Sequence, residues 1–265
     1  MISPFHRIGI VGAGNLAWNL CRNWKKNLNA EVYFWNRNLE SSSNLQNEFG
    51  GKIFPSVQEL VSSCDAVFIL TSDSGIEEIV NQLDYSDTLL IHCSGATSLN
   101  VVTGKGLNGG VFYPLMTFSK FIEPDWKDIP ILIEGSPDTK ERLFSLARIM
   151  KANPRLADSE QRAMIHLAAV FACNFTNSML AISETICRQN KLPFQVLFPL
   201  IRETISKALL PGTQPHQVQT GPAIREDQDA MKHHLELLQK NSSWQEIYKL
   251  ISAEIIKRKN NGNEL

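Results

Sequence analysis

The stretch Arg7-Ile8-Gly9-Ile10-Val11-Gly12-Ala13-Gly14-Asn15-Leu16-Ala17 decides the fold. It starts as a short apolar run, breaks into the form GxGxxA, and continues to Lys26 with Leu16, Leu20 and Trp24 at helical spacing. Gly12 permits a tight turn, Gly14 leaves the backbone bare, and Ala17 lets helix and strand approach closely. The helix that opens at Asn15 offers free N–H groups and the positive end of its dipole, which suits a pyrophosphate. A lone match of this form is weak evidence. Here it stands between one strand and a helix that leads to a second strand, Val32-Tyr33-Phe34-Trp35, which is the context the chemistry demands.

Outward from that turn, strand-like and helix-like segments alternate. A polar helix near Leu39–Phe49 leads to a short strand at Lys52-Ile53-Phe54, and Ser56 with Glu59 forms a capping box for the next helix. Ala66–Leu70 and Thr88–Ile91 are continuous apolar strands, as expected where helices cover both faces of a parallel sheet. Gly110–Phe112 and Ile131–Ile133 bring the sheet to about seven strands. After Asp158 the pattern changes. One long helix is expected from Ser159 to about Asn190, then helices near Phe194–Leu209, Glu226–Gln239 and Ser243–Lys257. The fold class is therefore α/β: a doubly wound, mostly parallel Rossmann-type sheet followed by an all-helical C-terminal domain. The expected domains are 1–155, binding a dinucleotide, and 156–265, for substrate and dimerisation. The tail Lys259–Leu265 is polar and expected to fray.

Bulk properties narrow the partners. The 265 residues are 43% hydrophobic and 20% charged, with a net charge of −1, which gives no electrostatic reason to expect nucleic acid or an anionic membrane. The run Lys257-Arg258-Lys259 is short and reads as a solvated helix end. No secretory leader is expected from the residues before the first strand, and Leu167–Cys173, broken by Asn174, falls short of the ~20 residues a membrane span needs. Cys21, Cys64, Cys93, Cys173 and Cys187 follow no metal or disulfide pattern, so reduced, buried thiols in a cytoplasm are expected, with no metal site.

Where the second strand ends, an NAD-binding chain usually carries an acid for the ribose diol. This sequence has Asn36-Arg37-Asn38, and no acid before Glu40. A carboxylate would repel a 2′-phosphate, whereas Arg37 pairs with one, so NADP(H) is the expected cofactor. The plain alternative is that Arg37 ends the strand in solvent; Ser41, Ser42 and Ser43 add hydroxyls nearby. The cofactor set is then Gly12, Gly14, Asn15, Leu16, Ala17, Asn36 and Arg37, joined at later strand ends by Thr71, Ser72, Ser94 and Gly95. His92 reads first as a packed strand-end histidine.

With these residues in view, the chain resembles a family of bacterial proteins that join a Rossmann-like domain to a helical domain of unassigned activity and are labelled NADP oxidoreductases. The matching segments are Gly12–Ala17, His92–Gly95, Tyr113-Pro114-Leu115 with Thr117-Phe118-Ser119, Ile133-Glu134-Gly135, Arg162 with His166, Asn174-Phe175, and Thr220-Gly221-Pro222 with Arg225 and Asp227. More distantly it is similar to pyrroline-5-carboxylate reductase, prephenate dehydrogenase and the β-hydroxyacid dehydrogenases. The resemblance implies a substrate between nicotinamide and helical domain, and a homodimer through that domain.

A hydride-transfer site also needs a group that moves a proton. The related hydroxyacid dehydrogenases carry a lysine one turn before an asparagine, but the residue four before Asn174 is Val170. His166 is the substitute, since its ordinary pKa of ~6.5 suits transfer near neutrality. A histidine bonded within a domain interface is the plain alternative. Asn174 interrupts an apolar stretch, so a buried amide in need of a partner is expected, with substrate as one option. Tyr113, Thr117 and Ser119 are candidates for the substrate side or for loop packing. Arg225 is a candidate anion anchor or a partner of Glu226 or Asp227. These residues support an NADP(H)-dependent oxidoreductase acting on a small, carboxylate-bearing carbonyl, imine or alcohol. The alternatives are a non-catalytic NADP(H)-binding or redox-sensing protein and, from a distant likeness in the first half, a deazaflavin-dependent reductase of NADP.

Overall fold

The computed structural model describes residues 3–260, so the end of the polar tail lies outside the described residues. The chain forms two compact units that divide after Asn177.

The first unit is an eight-stranded sheet in the order β3-β2-β1-β4-β5-β6-β7-β8. The strands are β1 (Arg7–Val11), β2 (Glu31–Trp35), β3 (Lys52–Ile53), β4 (Ala66–Ile69), β5 (Leu89–His92), β6 (Gly109–Pro114), β7 (Pro130–Gly135) and β8 (Asn153–Leu156). All neighbours are parallel except β6 and β7. The helices between them are α1 (Asn15–Asn27), α2 (Leu39–Phe49), α3 (Val57–Ser62), α4 (Asp73–Asn81), α5 (Asn100–Thr103) and α6 (Pro137–Ile149).

Strand alternation sorts the core onto two faces. Ile8, Ile10, Phe68 and Ile91 pack with Leu20 and Trp24 of α1 and with Leu143 and Leu146 of α6. Val11, Val67, Ile69 and Leu90 pack with Leu60 of α3 and with Ile76 and Ile79 of α4. Both faces are covered, which is why these strands read as unbroken apolar runs. The eighth strand escapes the sequence pattern because Asn153-Pro154-Arg155-Leu156 is largely polar and holds a proline. An edge strand accepts both.

The long helix expected after Asp158 is present but not uniform. It runs as α7 (Ser159–Ala169), a π segment (Val170–Phe175) and α8 (Thr176–Gln189). It starts at Ser159 as expected, and Asp158 caps it in a capping box with Gln161. Ser159–Gln189 is also long and apolar enough to cross a membrane by length and composition, contrary to the expectation of no such segment. Asn174 breaks the apolar run without lowering its average enough to matter.

The second unit continues with α9 (Phe198–Ala208), α10 (Pro222–Arg225), α11 (Gln228–Leu237) and α12 (Ser242–Asn260). A helix starting at Glu226 does not form. Glu226 adopts φ 56°, a left-handed break, and Asp227 caps α11 instead. The cysteines are free. Cys21, Cys64 and Cys187 are buried as expected, Cys93 is partly buried, but Cys173 on the π segment is exposed.

Candidate functional site

The glycine turn has the geometry its sequence implies. Gly12 sits at φ +105°, and a Cβ there would meet the Leu70 carbonyl oxygen at 2.5 Å, so only glycine fits. Gly14 is different: a Cβ there would meet nothing within 4 Å. Its bareness serves no packing need, and it opens α1 without any side-chain cap. The first N–H groups of α1 are thus left for an anion, and Ala17 is fully buried behind them. These residues fit a dinucleotide pyrophosphate, with Asn15 and Leu16 at the first helical positions.

At the end of β2, the Asn36 amide donates to the Asn38 carbonyl at 3.0 Å, and Asn38 caps α2. Arg37 is exposed and pairs with Glu78 of α4. Of the nearby serines, Ser42 is buried without a hydrogen-bond partner, and the Ser43 hydroxyl donates to Leu39.

The end of β5 carries more structure. The Ser94 hydroxyl donates to Asp73 at 2.6 Å and accepts from the Ala96 and Thr97 N–H groups at 3.1 and 2.9 Å. Ser72 caps α4 through the Gly75 N–H, and the Thr71 hydroxyl donates to the Ser72 carbonyl. His92 is fully buried, its Nδ1 accepts from the Ser94 N–H at 3.3 Å, and its Nε2 has no partner. Burial pushes its pKa down to about 4, with the Arg162 charge adding to the effect and Asp73 opposing it. The ring is neutral and structural.

Arg162 is the residue that sequence reasoning left without a role. It is completely buried in the first turn of α7 and pairs with Glu134 at the end of β7. Its other donors reach the Ser94 carbonyl at 3.2 Å, the Thr97 carbonyl at 2.6 Å and the Ser159 hydroxyl at 3.2 Å. Ser159 also donates to Glu134, at 2.8 Å. A buried guanidinium is tolerated only when so fully paired. This network fixes the β5 loop, the β7 end and α7 relative to one another. The available signal was a lone arginine and a strand-end glutamate among apolar neighbours.

One helical turn beyond Arg162, His166 is thereby placed against Gly95. A Cβ on Gly95 would come within 2.6 Å of the His166 ring, so glycine is required for this approach. His166 Nδ1 lies 2.9 Å from the Tyr113 hydroxyl, and the rings stand nearly perpendicular, at 79°. Burial raises the Tyr113 phenol above its ordinary value, Asp73 and Cys173 raise it further, and Arg162 opposes them. The phenol therefore keeps its proton at neutral pH, and it shares with Nδ1 one hydrogen bond whose donor is set by the tautomer of the ring.

The remaining candidates are scattered. Asn174 is exposed rather than buried and bonds to nothing among the described residues; solvent meets the need that burial would have created. It nonetheless faces as His166 does. A π turn takes up nearly one residue more than an α turn, so one of each closes on eight residues. Thr117 is exposed. Ser119 is held by packing: its carbonyl accepts from Asn19 of α1 at 2.9 Å. In the second unit, Arg225 is exposed and pairs with neither expected acid, since Glu226 binds Lys259 and Asp227 caps α11.

A mostly parallel sheet with a bare glycine turn after its first strand defines a Rossmann-type dinucleotide-binding fold. Comparison with known proteins agrees. Residues 7–95 match the family model described as NADP oxidoreductase coenzyme F420-dependent, and residues 129–255 match a domain of unknown function, DUF2520. The crystal structure of a "putative NADP oxidoreductase" from Bacteroides fragilis is 35% identical, covering 96% of this chain and 99% of that one with a TM-score of 0.85. The chain belongs to that family of NADP oxidoreductases, and its cofactor is NADP(H). Two further likenesses show the fold alone. An imine reductase from Myxococcus stipitatus in complex with NADP+ is 15% identical, with TM-score 0.70 over 97% of this chain and 95% of that one. A 1-pyrroline-5-carboxylate reductase from Streptococcus pyogenes is 13% identical, with TM-score 0.64 over 95% and 98%. No curated protein matches the sequence.

Proposed function

We propose that the protein transfers hydride between NADP(H) and a small, carboxylate-bearing carbonyl, imine or alcohol, with His166 moving the accompanying proton and Tyr113 holding its ring. The observation that carries this reading is the 2.9 Å bond from the Tyr113 hydroxyl to His166 Nδ1, beside Gly95. The bound cofactor supplies or takes up the hydride. In the reducing direction, His166 gives a ring proton to the substrate oxygen or nitrogen and regains one from solvent, while the Tyr113 hydroxyl keeps its own proton and holds the ring through Nδ1. The reverse sequence serves oxidation.

Gly12, Gly14, Asn15, Leu16 and Ala17 hold the pyrophosphate, Arg37 with Asn36 holds the 2′-phosphate side, and Thr71, Ser72, Ser94 and Gly95 border the nicotinamide. Asn174 orients the substrate. The exposed rings of Phe171 and Phe175, 4.9 Å apart on the same π segment, give it an apolar wall. Thr117 and Ser119 belong to the loop on the substrate side. Residues 1–155 act as the dinucleotide-binding domain and 156–265 as the substrate and dimerisation domain. A homodimer forms through the helical unit, whose exposed Val196, Leu200, Leu209 and Leu237 need a cover. The free thiols suit a cytoplasmic setting.

The test is oxidation of NADPH by the purified protein against a panel of small oxo acids and cyclic imines. Turnover of at least one compound supports the reading. Tight NADPH binding without turnover across the panel favours a sensor instead.

A further inference from the structure

In the sheet, β2 and β4 flank β1, so their carboxyl ends stand on either side of the Gly12–Ala17 turn. Arg37 follows β2, and Glu78 lies on α4, the helix after β4. Their side chains nevertheless meet. The ion pair therefore crosses the carboxyl edge of the sheet from one flank of the glycine turn to the other.

We propose that Glu78 is a specificity-determining residue, competing with the 2′-phosphate of NADP(H) for the guanidinium of Arg37. The proposal rests on Arg37 as the partner of that phosphate. A guanidinium engaged by a carboxylate cannot offer the same donors to a phosphate, and the carboxylate left beside a bound phosphate repels it. Both side chains are more than half exposed, at 64% and 54%, so their pair is weak and opens readily. Phosphate, with two charges and bidentate geometry, displaces the carboxylate. NADH has no such phosphate and leaves the pair closed. The cost of opening therefore falls on NADP(H) alone, and the wild-type protein binds it less tightly than its phosphate contacts permit. An exposed pair of this kind reduces the competent fraction by about fivefold at most.

Fluorescence titration of the whole protein with NADPH, NADH, 2′,5′-ADP and 5′-AMP tests this directly, with melting curves to confirm that each variant is folded. Glu78→Gln should bind NADPH and 2′,5′-ADP about two- to fivefold more tightly, with NADH and 5′-AMP unchanged. Arg37→Gln should lose the preference for the phosphorylated ligands whether residue 78 is Glu or Gln. Unchanged or weaker NADPH binding in Glu78→Gln, while Arg37→Gln still loses its preference, overturns the role of Glu78 alone. Equal tightening of NADPH and NADH overturns it too, because general charge repulsion would then be the cause. An Arg37→Gln protein that keeps its preference removes the premise.

Discussion

The two units of this chain are completed to different degrees. In the first, strands β1, β4 and β5 are buried along nearly their whole length, and even the Arg162 guanidinium is enclosed with partners for its donors. In the second, only Cys187, Ala223 and Ser252 are buried among the described residues, while Val196, Leu200, Leu209, Leu237 and Leu250 are more than half exposed. At about 25 cal/mol per Å² of apolar surface, such side chains forgo stabilisation that a partner would restore. The contrast teaches that rigid placement of reactive groups belongs to the first unit. The second leaves its large apolar side chains uncovered, and the proposed dimer would cover them.

The largest effect expected separates binding from folding within the first unit. Gly14→Val should fold with an unchanged melting temperature, since its side chain enters open space, yet lose NADPH affinity by a hundredfold or more. Gly12→Ala should instead melt lower, by an amount corresponding to about 2 kcal/mol or more, because its Cβ meets the Leu70 carbonyl. Paired melting curves and titrations read both. Equal loss of stability in the two variants would mean that the bare turn is only a packing device.

Acid comes next. His92 has a folded pKa of about 4 against an ordinary 6.5, so between those values the unfolded chain binds more protons. Its contribution to stability is present above about pH 6.5 and is lost as pH falls towards 4, amounting to about 3 kcal/mol. Denaturant unfolding at pH 7 and pH 5 should show a smaller acid loss in His92→Asn than in wild type. Equal losses would place the acid sensitivity of the first unit elsewhere.

The smallest effect sharpens the description of the second unit. Leu200→Glu, at an exposed apolar position, should weaken dimerisation by about tenfold or more in sedimentation analysis and leave NADPH affinity unaltered. A wild-type monomer at micromolar concentration would contradict the reading of that surface.

Much of the first unit was legible because its signals are local. The glycine turn, the apolar strands and the Ser56–Glu59 cap each lie within a few residues. What escaped depends on distant or hidden terms. Arg162 is 28 residues from Glu134 and 68 from Ser94, and His166 is 53 from Tyr113; no periodicity announces such pairings. The π segment also gives no compositional sign, since Val170–Phe175 would suit an ordinary α-helix. Asn174 was expected to be buried because its neighbours are apolar, but in this chain those neighbours are themselves exposed.

The role of His166 is the centre of the account, and one comparison tests it most directly. NADPH oxidation with the best substrate of the panel should be measured for wild type and His166→Ala, alongside the NADPH dissociation constant of each. Turnover should fall by about 10²–10⁴-fold with the dissociation constant unchanged within about twofold. Full turnover in His166→Ala would show that the ring only packs against Gly95, and that another group moves the proton.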